Sequence, residues 1–155
     1  MENSNRKYEL VKDDTIKTFD GRTLFRIRAL VAMTAIGVAA GDLGGYIEAE
    51  KNLSHVYGDA WVSGNAWVSG NARVYGKIIS ATRTDGYTFT VFHDHEYVVH
   101  IAAGCRYFTI EEARQHWRAT RGGTKLGDES LALIDHLERM AKLQDWQKPV
   151  AEAAE

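Results

Sequence analysis

Three large side chains recur at six-residue spacing in the middle of the chain: Trp61, Trp67 and Arg73. Indole rings stack on planar rings such as nucleobases, and a guanidinium group binds phosphate or carboxylate through forked hydrogen bonds. Leaving one indole in water costs on the order of 1.5–3 kcal/mol relative to burying it. These residues therefore predict a ligand platform or a subunit interface, unless the chain's own hairpins and helices cover the rings.

Two arginines form a second candidate site for an anion. Asp20 and Gly21 signal a tight turn, and the residues that follow alternate between apolar and polar types. Arg26 and Arg28 therefore project from one face of a strand, where they can hold a phosphate or a carboxylate. The alternative is a solvated strand face on which both arginines pair with acidic neighbours.

The densest cluster of titratable side chains is His93-Asp94-His95-Glu96. In an extended strand, His93 and His95 would face the same way and could share a metal ion. The cluster, however, lies between two β-forming stretches, and a hairpin turn would bend the two imidazoles apart. We predict no metal site, no cofactor and no catalytic residue, and name His93 and His95 as the pair that a metal would use.

The segment that positions the tryptophans is a repeat, residues 56–76, VYGDAWVSGNAWVSGNARVYG. In each six-residue phrase an alanine and a valine lie two residues apart, so both point to one face of an extended segment. Glycine with Asp or Asn suits the corners. Three such hexapeptides close one triangular coil of a parallel β-helix.

The chain should stack on itself after one such coil. The predicted stacked pairs are Val56 with Val74, Tyr57 with Tyr75, and His55 with Arg73. His55, Tyr57 and Tyr75 thereby join the tryptophans and Arg73 as candidate ligand-binding or interface residues.

Composition limits the classes of function. The chain has 155 residues, with 19 Lys and Arg against 21 Asp and Glu, so it lacks the basic footprint of a general nucleic-acid binder. Cys105 is the only cysteine, which excludes an internal disulfide and a multi-cysteine zinc site and predicts a buried structural thiol. The polar start and the absence of a long apolar run predict a cytoplasmic protein without a membrane partner.

The C-terminal part has the signals of two helices. Thr109 and Glu112 fit a capping box, which predicts a helix over residues 110–120. A second helix is predicted from residues 127–130 to about Leu143 because Leu131, Ile134 and Leu137 form an apolar stripe.

The quoted repeat, together with AGDLGGYIEAEKNLSH before it, TLFRIRAL further upstream and IAAGCRYFTIEEARQHW after it, resembles a family of small bacteriophage and prophage proteins. The resemblance covers residues 24–140. Members carry hexapeptide repeats, usually in a longer array. The resemblance implies a left-handed parallel β-helix and a phage origin.

The expected fold is mainly β with α: a short left-handed parallel β-helix of about two coils, capped by β-hairpins and followed by a helical hairpin. The expected parts are an N-terminal hairpin cap (1–37), the β-helix (38–80), a second hairpin (81–108), two helices (109–146) and a disordered tail (147–155). We expect these parts to form one cooperative domain.

The leading functional hypothesis is a non-enzymatic phage accessory protein that counters host defence. It would bind, and sequester, a small anionic nucleotide-type ligand in pockets between subunits of a homotrimer, because triangular coils offer one flat face per neighbour. One alternative is a hexapeptide-type acyltransferase. Another is a protein-binding inhibitor of a host defence factor, or a structural trimer.

Overall fold

The first sheet begins with a hairpin. In the computed structural model, β1 (Tyr8–Lys17) pairs antiparallel with β2 (Thr23–Ala29). The backbone reverses through Gly21, whose φ of 89° is a left-handed conformation that favours glycine. The predicted hairpin is confirmed. The structure describes residues 6–18, 20–55, 60–64, 66–70, 72–104 and 106–146.

Two shorter strands complete this sheet in the order β1-β2-β3-β4. β3 (Leu43–Ile47) is antiparallel to β2, and β4 (Trp67–Val68) is parallel to β3. Short 3-10 helices at Thr34–Ile36 and Glu50–Asn52 turn the chain before and after β3. The only strand that the described part of the hexapeptide repeat contributes is therefore β4, two residues long.

The second sheet is an antiparallel meander of β5 (Ile79–Thr82), β6 (Thr88–His93), β7 (Val99–Ala103) and β8 (Arg106–Thr109). Strand β6 pairs with β7 across the connection of residues 94–98, which includes Asp94, His95 and Glu96. The second predicted hairpin is thus confirmed.

Two helices follow, α1 (Ile110–Arg121) and α2 (Lys125–Leu143). Thr109 accepts a hydrogen bond from the Glu112 amide while the Glu112 carboxylate accepts one from the Thr109 amide, so the predicted capping box is confirmed. Helix α2 ends at Leu143 as predicted but begins at Lys125, two residues before the predicted start. The reason is that the Thr124 hydroxyl caps it by accepting a hydrogen bond from Gly127.

The second sheet is the middle of three layers. Phe89 and Val91 of β6 pack with Trp117 of α1 and Ile134 of α2 in one apolar core. Phe92 faces the opposite way and joins the core of the first sheet. This alternation follows from the two-residue period of a strand, and it explains why β6 is buried on both faces.

The β-helix prediction is wrong. The described residues form two four-stranded sheets, seven of whose strands run antiparallel to a neighbour, and two helices. The inward orientation of the repeat's small residues is confirmed, since Ala60, Val62, Ala66, Val68, Ala72 and Val74 are all buried. Their partners differ from the prediction. A single turn of the repeat has no further turns on which to stack and with which to form hydrogen-bonded strands. It therefore packs against β3 instead.

The predicted stacking register is also wrong at His55 and Arg73. Tyr46 pairs with Trp67, Ile47 with Val68, and Leu53 with Val74, so every observed parallel pair is separated by 21 residues instead of 18. With Leu53 opposite Val74, Arg73 cannot lie opposite His55. The predicted Val56/Val74 and Tyr57/Tyr75 pairs involve Val56 and Tyr57, which lie outside the described residues.

Candidate ligand-binding cleft

A cleft of about 770 Å³ lies where the two sheets meet helix α1. Its walls come from five parts of the chain: the end of β1, strand β4, the turn between β5 and β6, the beginning of β8, and the second half of α1. The lining residues are Lys17, Thr18, Trp67, Arg83, Tyr87, Gly104, Arg106, His116, Trp117, Thr120 and Arg121. Five of these side chains are basic and none is acidic.

Three of the basic groups have no anionic partner. Lys17, Arg106 and Arg121 are exposed, and no carboxylate of the described residues lies within 4.0 Å of their charged atoms. Charged residues from separate elements that converge on one concave surface attract anions, because the field of each adds to the others. The cleft is therefore suited to a phosphate or a carboxylate.

Arg83 has a different role in the wall. Its guanidinium donates to both carboxylate oxygens of Asp85, at 3.0 and 2.8 Å, and to the Ser130 hydroxyl at 3.1 Å. It also lies 4.4 Å from the centre of the Tyr87 ring. The hydrogen bonds from Arg83 hold the pKa of the Asp85 carboxyl below its usual range. Arg83 thus supports Tyr87 more than it offers charge to a ligand.

Trp67 supplies an aromatic surface. Trp61, Trp117 and Trp146 each contact another ring, but Trp67 has no ring partner within the described part of the chain. Trp67 is half-buried, and its position in β4 places it in the lining of the cleft. A half-buried indole without a ring partner, next to free cations, can stack on a planar ring.

Tyr87 and Gly104 line the same cleft as Trp67. The Tyr87 hydroxyl donates to the Ala103 carbonyl at 2.9 Å. Gly104 has a φ of 61°, and a Cβ atom there would lie 2.6 Å from the Tyr87 hydroxyl oxygen. Glycine at this position is therefore required both by the backbone and by the close approach of Tyr87.

The pKa of His116 reflects the positive charge around the cleft. Burial, together with the charges of Arg106 and Arg121, lowers the pKa of its imidazole below the ordinary value of 6.5. The ring also lies edge-on to Trp117, with ring centres 4.5 Å apart. The two arginines therefore lie near enough to His116 to repel its proton, and an anion bound between them would reverse that effect.

The hexapeptide residues named from the sequence lie in different environments. Trp61 is only 6% exposed and packs edge-on against Tyr8. Trp67 lies in the cleft, whereas Arg73 is half-buried and its charge acts on Tyr107 of β8. The three residues, which occupy equivalent positions in the repeat, therefore have different surroundings in the fold.

The candidates near the predicted corner are separated as well. His55 stacks on Tyr8 at 4.0 Å, accepts a hydrogen bond from the Lys7 amide and contacts the Glu50 carboxylate at 2.8 Å. Tyr75 lies near His95, with ring centres 5.5 Å apart. Tyr57 lies outside the described residues. His55 is thus part of the packing around Tyr8.

Arg26 and Arg28 both pair with carboxylates of the facing strand β1. Arg26 binds Asp14 at 2.9 Å and also donates to the Tyr46 hydroxyl. Arg28 binds Glu9, its direct cross-strand neighbour, at 2.5 Å. These contacts correspond to the alternative in which acidic neighbours neutralise the arginine pair.

The two histidines of the polar cluster point to different surroundings. His93 is buried, stacks on Tyr97 and approaches Trp146, whereas His95 is exposed beside Glu96. Across the described ranges, no group of three or more His, Cys, Asp or Glu residues could hold a metal ion. Cys105 lies outside those ranges.

Sequence reasoning missed most of the cleft: Lys17, Arg106, Arg121 and His116. One local signal was available. Around the predicted first helix, His116 and Thr120 are four residues apart, as are Trp117 and Arg121. Residues at this spacing are neighbours on the surface of a helix, so polar, aromatic and basic side chains lie close together there. Nothing in the sequence, however, indicates that this face meets Lys17 and Trp67.

Comparison with protein-family models, with characterised proteins and with solved structures gives no match. The resemblance to phage hexapeptide-repeat proteins therefore stays a prediction. Within the described ranges, no helix has both the length and the apolar character that a bilayer span requires.

Proposed function

We propose that this protein binds a small anionic ligand with a planar ring, of the nucleotide type, in the cleft between its two sheets. The observation that carries the proposal is that three cations and the indole of Trp67 meet around one cavity. Among the described residues, these cations have no carboxylate partner, the indole has no ring partner, and no acidic side chain lines the cavity. Guanidinium groups suit phosphates, and an indole suits a base. The volume lies within the roughly 300–1,000 Å³ range of small-molecule sites.

The cleft belongs to one chain, so the proposed binding does not need the pockets between subunits that the sequence suggested. The homotrimer, the cytoplasmic location and the role against host defence stay predictions. The acyltransferase alternative loses its main support, because it depended on a groove between β-helices. The protein-binding alternative keeps the same Trp67 surface and is tested by the same variants.

Calorimetry with adenosine and guanosine monophosphates tests the proposal. We expect binding that weakens with added salt, because the free cations of the cleft attract the phosphate. Trp67→Ala should weaken affinity by roughly 5- to 150-fold, since stacking on an aromatic side chain contributes about 1–3 kcal/mol per base. The double variant Arg106→Gln/Arg121→Gln should have an effect of at least this size, as hydrogen bonds to charged groups contribute about 1.5–3 kcal/mol each.

Arg118→Gln is the matched control. Arg118 is an exposed arginine of the same helix that does not line the cleft, so its removal lowers the net charge by as much as each single substitution of the double variant. Its affinity should stay near that of the wild type. Absence of nucleotide binding, or equal losses in the control and in the cleft variants, would contradict the proposal.

A further inference from the structure

A second cavity adjoins the cleft. It has a volume of about 460 Å³ and shares three lining residues with the cleft: Trp67, Tyr87 and Gly104. We call the cleft the cationic chamber and the second cavity the neutral chamber. Because Trp67, Tyr87 and Gly104 line both, these residues form the junction through which one ligand can extend from one chamber into the other.

The two chambers differ in chemistry. The remaining lining of the neutral chamber is Thr82, Gly86 and Thr88, which brings hydroxyl groups and backbone but no charge. Thr82 and Thr88 are cross-strand neighbours whose hydroxyl oxygens lie 3.3 Å apart. Hydroxyl groups beside aromatic walls suit a neutral sugar and base, whereas the cationic chamber suits phosphates.

The size of the pair exceeds the needs of a mononucleotide. Each chamber alone lies within the roughly 300–1,000 Å³ range that accommodates a small molecule. A ligand confined to the cationic chamber would leave the neutral chamber and one side of the junction unused. A ligand with two nucleoside halves would use both chambers, with the Trp67 indole between them.

We infer that the ligand is of the dinucleotide type, with two nucleosides joined through phosphates. One nucleoside and the phosphates occupy the cationic chamber, and the second nucleoside occupies the neutral chamber. This inference rests on the proposed function, because it assigns the ligand class of the same site. It adds Thr82 and Thr88 as the residues that distinguish a dinucleotide from a mononucleotide.

The test compares two ligands of matched charge: adenosine monophosphate, and diadenosine diphosphate, in which a pyrophosphate joins two adenosines. Calorimetry on the wild-type protein should show at least tenfold tighter binding of the diadenosine ligand. Thr82→Trp places an indole in the neutral chamber from an exposed strand position that tolerates aromatic residues. It should remove the tenfold advantage, so that the diadenosine ligand binds no more tightly than the monophosphate.

Ser80→Trp is the matched control, because Ser80 is exposed, lies on the same face of β5 and lines neither chamber. It should keep the advantage. Equal affinities for the two ligands, or an advantage that survives Thr82→Trp, would overturn the inference while leaving the proposed function intact. Failure of both ligands to bind would overturn both. Affinity that keeps rising up to a ten-residue oligoadenylate would overturn the inference in favour of a nucleic-acid strand.

Discussion

At the scale of single residues, the cleft is defined by side chains that lack their usual partners among the described residues. These are cations without a carboxylate and an indole without a neighbouring ring. Arg83 in the wall of the cleft is neutralised by Asp85, and Arg114 of helix α1, which does not line the cleft, is neutralised by Asp135 and Glu138. Arg106 and Arg121 have no such carboxylate among the described residues. Because exposed pairs contribute little to stability, a free arginine costs the fold little and keeps its hydrogen-bond donors for a ligand.

His116 provides a pH-dependent test at this scale. Its pKa is lowered in the folded protein, so the unfolded chain takes up the proton more readily. The native state therefore loses stability as the pH falls through about 6.5, the unfolded value, towards the lowered native value. His116→Gln should flatten this part of the stability profile measured by urea denaturation between pH 7 and pH 5. His136→Gln, which removes an exposed imidazole outside the cleft, is the control.

The same residue reports ligand binding. Adding adenosine monophosphate should raise the pKa of His116 in an NMR titration, since the bound phosphate offsets the charges of Arg106 and Arg121. Arg121→Gln should raise it without any ligand. A pKa that does not change in either experiment would place the phosphate away from this end of the cleft.

At the scale of elements, helix α1 positions one wall of the cleft. Its capping box fixes where the helix begins, and hence which side chains of its second half face the sheets. Gly104 acts similarly at the end of β7, where its conformation lets Tyr87 approach the backbone. The capping box and Gly104 thus set the shape of the cleft, although neither places a side chain against a ligand.

Thr109→Ala tests the capping box. The change removes the hydroxyl that accepts the Glu112 amide hydrogen bond, so we expect a loss of about 1 kcal/mol in the free energy of unfolding. Thermal and urea denaturation would measure it. Thr109→Ser keeps the hydroxyl and should restore most of the stability, and Gln115→Ala, at an exposed position of the same helix, should have little effect. Equal stability of Thr109→Ala and Thr109→Ser would refute the role of the cap.

At the scale of the whole molecule, the hexapeptide segment is held against the first sheet by close backbone contact. A Cβ atom on Gly45 would lie 2.5 Å from the Ala66 carbonyl oxygen and 2.8 Å from a methyl group of Val62. Gly44 has similarly little space beside Val62 and Trp61. Two adjacent glycines in β3 thus let the repeat approach closely enough to pair Tyr46 with Trp67.

Gly45→Ala should disrupt this packing. The added methyl group forces the repeat away from β3, and overpacking of this kind costs about 1–3 kcal/mol. Because Trp67 moves with the repeat, nucleotide affinity should fall as well, even at temperatures where the variant stays folded. Urea denaturation and calorimetry measure the two effects. Ala39→Val adds methyl groups at an exposed position and should change stability by no more than about 0.5 kcal/mol. Wild-type stability in Gly45→Ala would show that the repeat is not held in this way.

The sequence by itself determined the features that depend on near neighbours in the chain. Both hairpins, the capping box at Thr109, the end of α2 at Leu143 and the burial of the repeat's alanines and valines follow from turn residues, caps and periodicity, and all are confirmed. These signals act over a few residues, so they do not depend on how distant segments pack.

Only the tertiary structure decided the register of the repeat and the composition of the cleft. The spacing of the alanines and valines is compatible with stacked residues that lie 18 positions apart in sequence. In the structure the paired residues lie 21 positions apart, as Leu53 and Val74 do, and the space beside Gly45 allows this register. The cleft joins Lys17, Trp67 and Arg121, which are far apart in sequence and meet because the second sheet packs between the first sheet and the helices. Such convergence is a property of long-range packing, which local patterns do not encode.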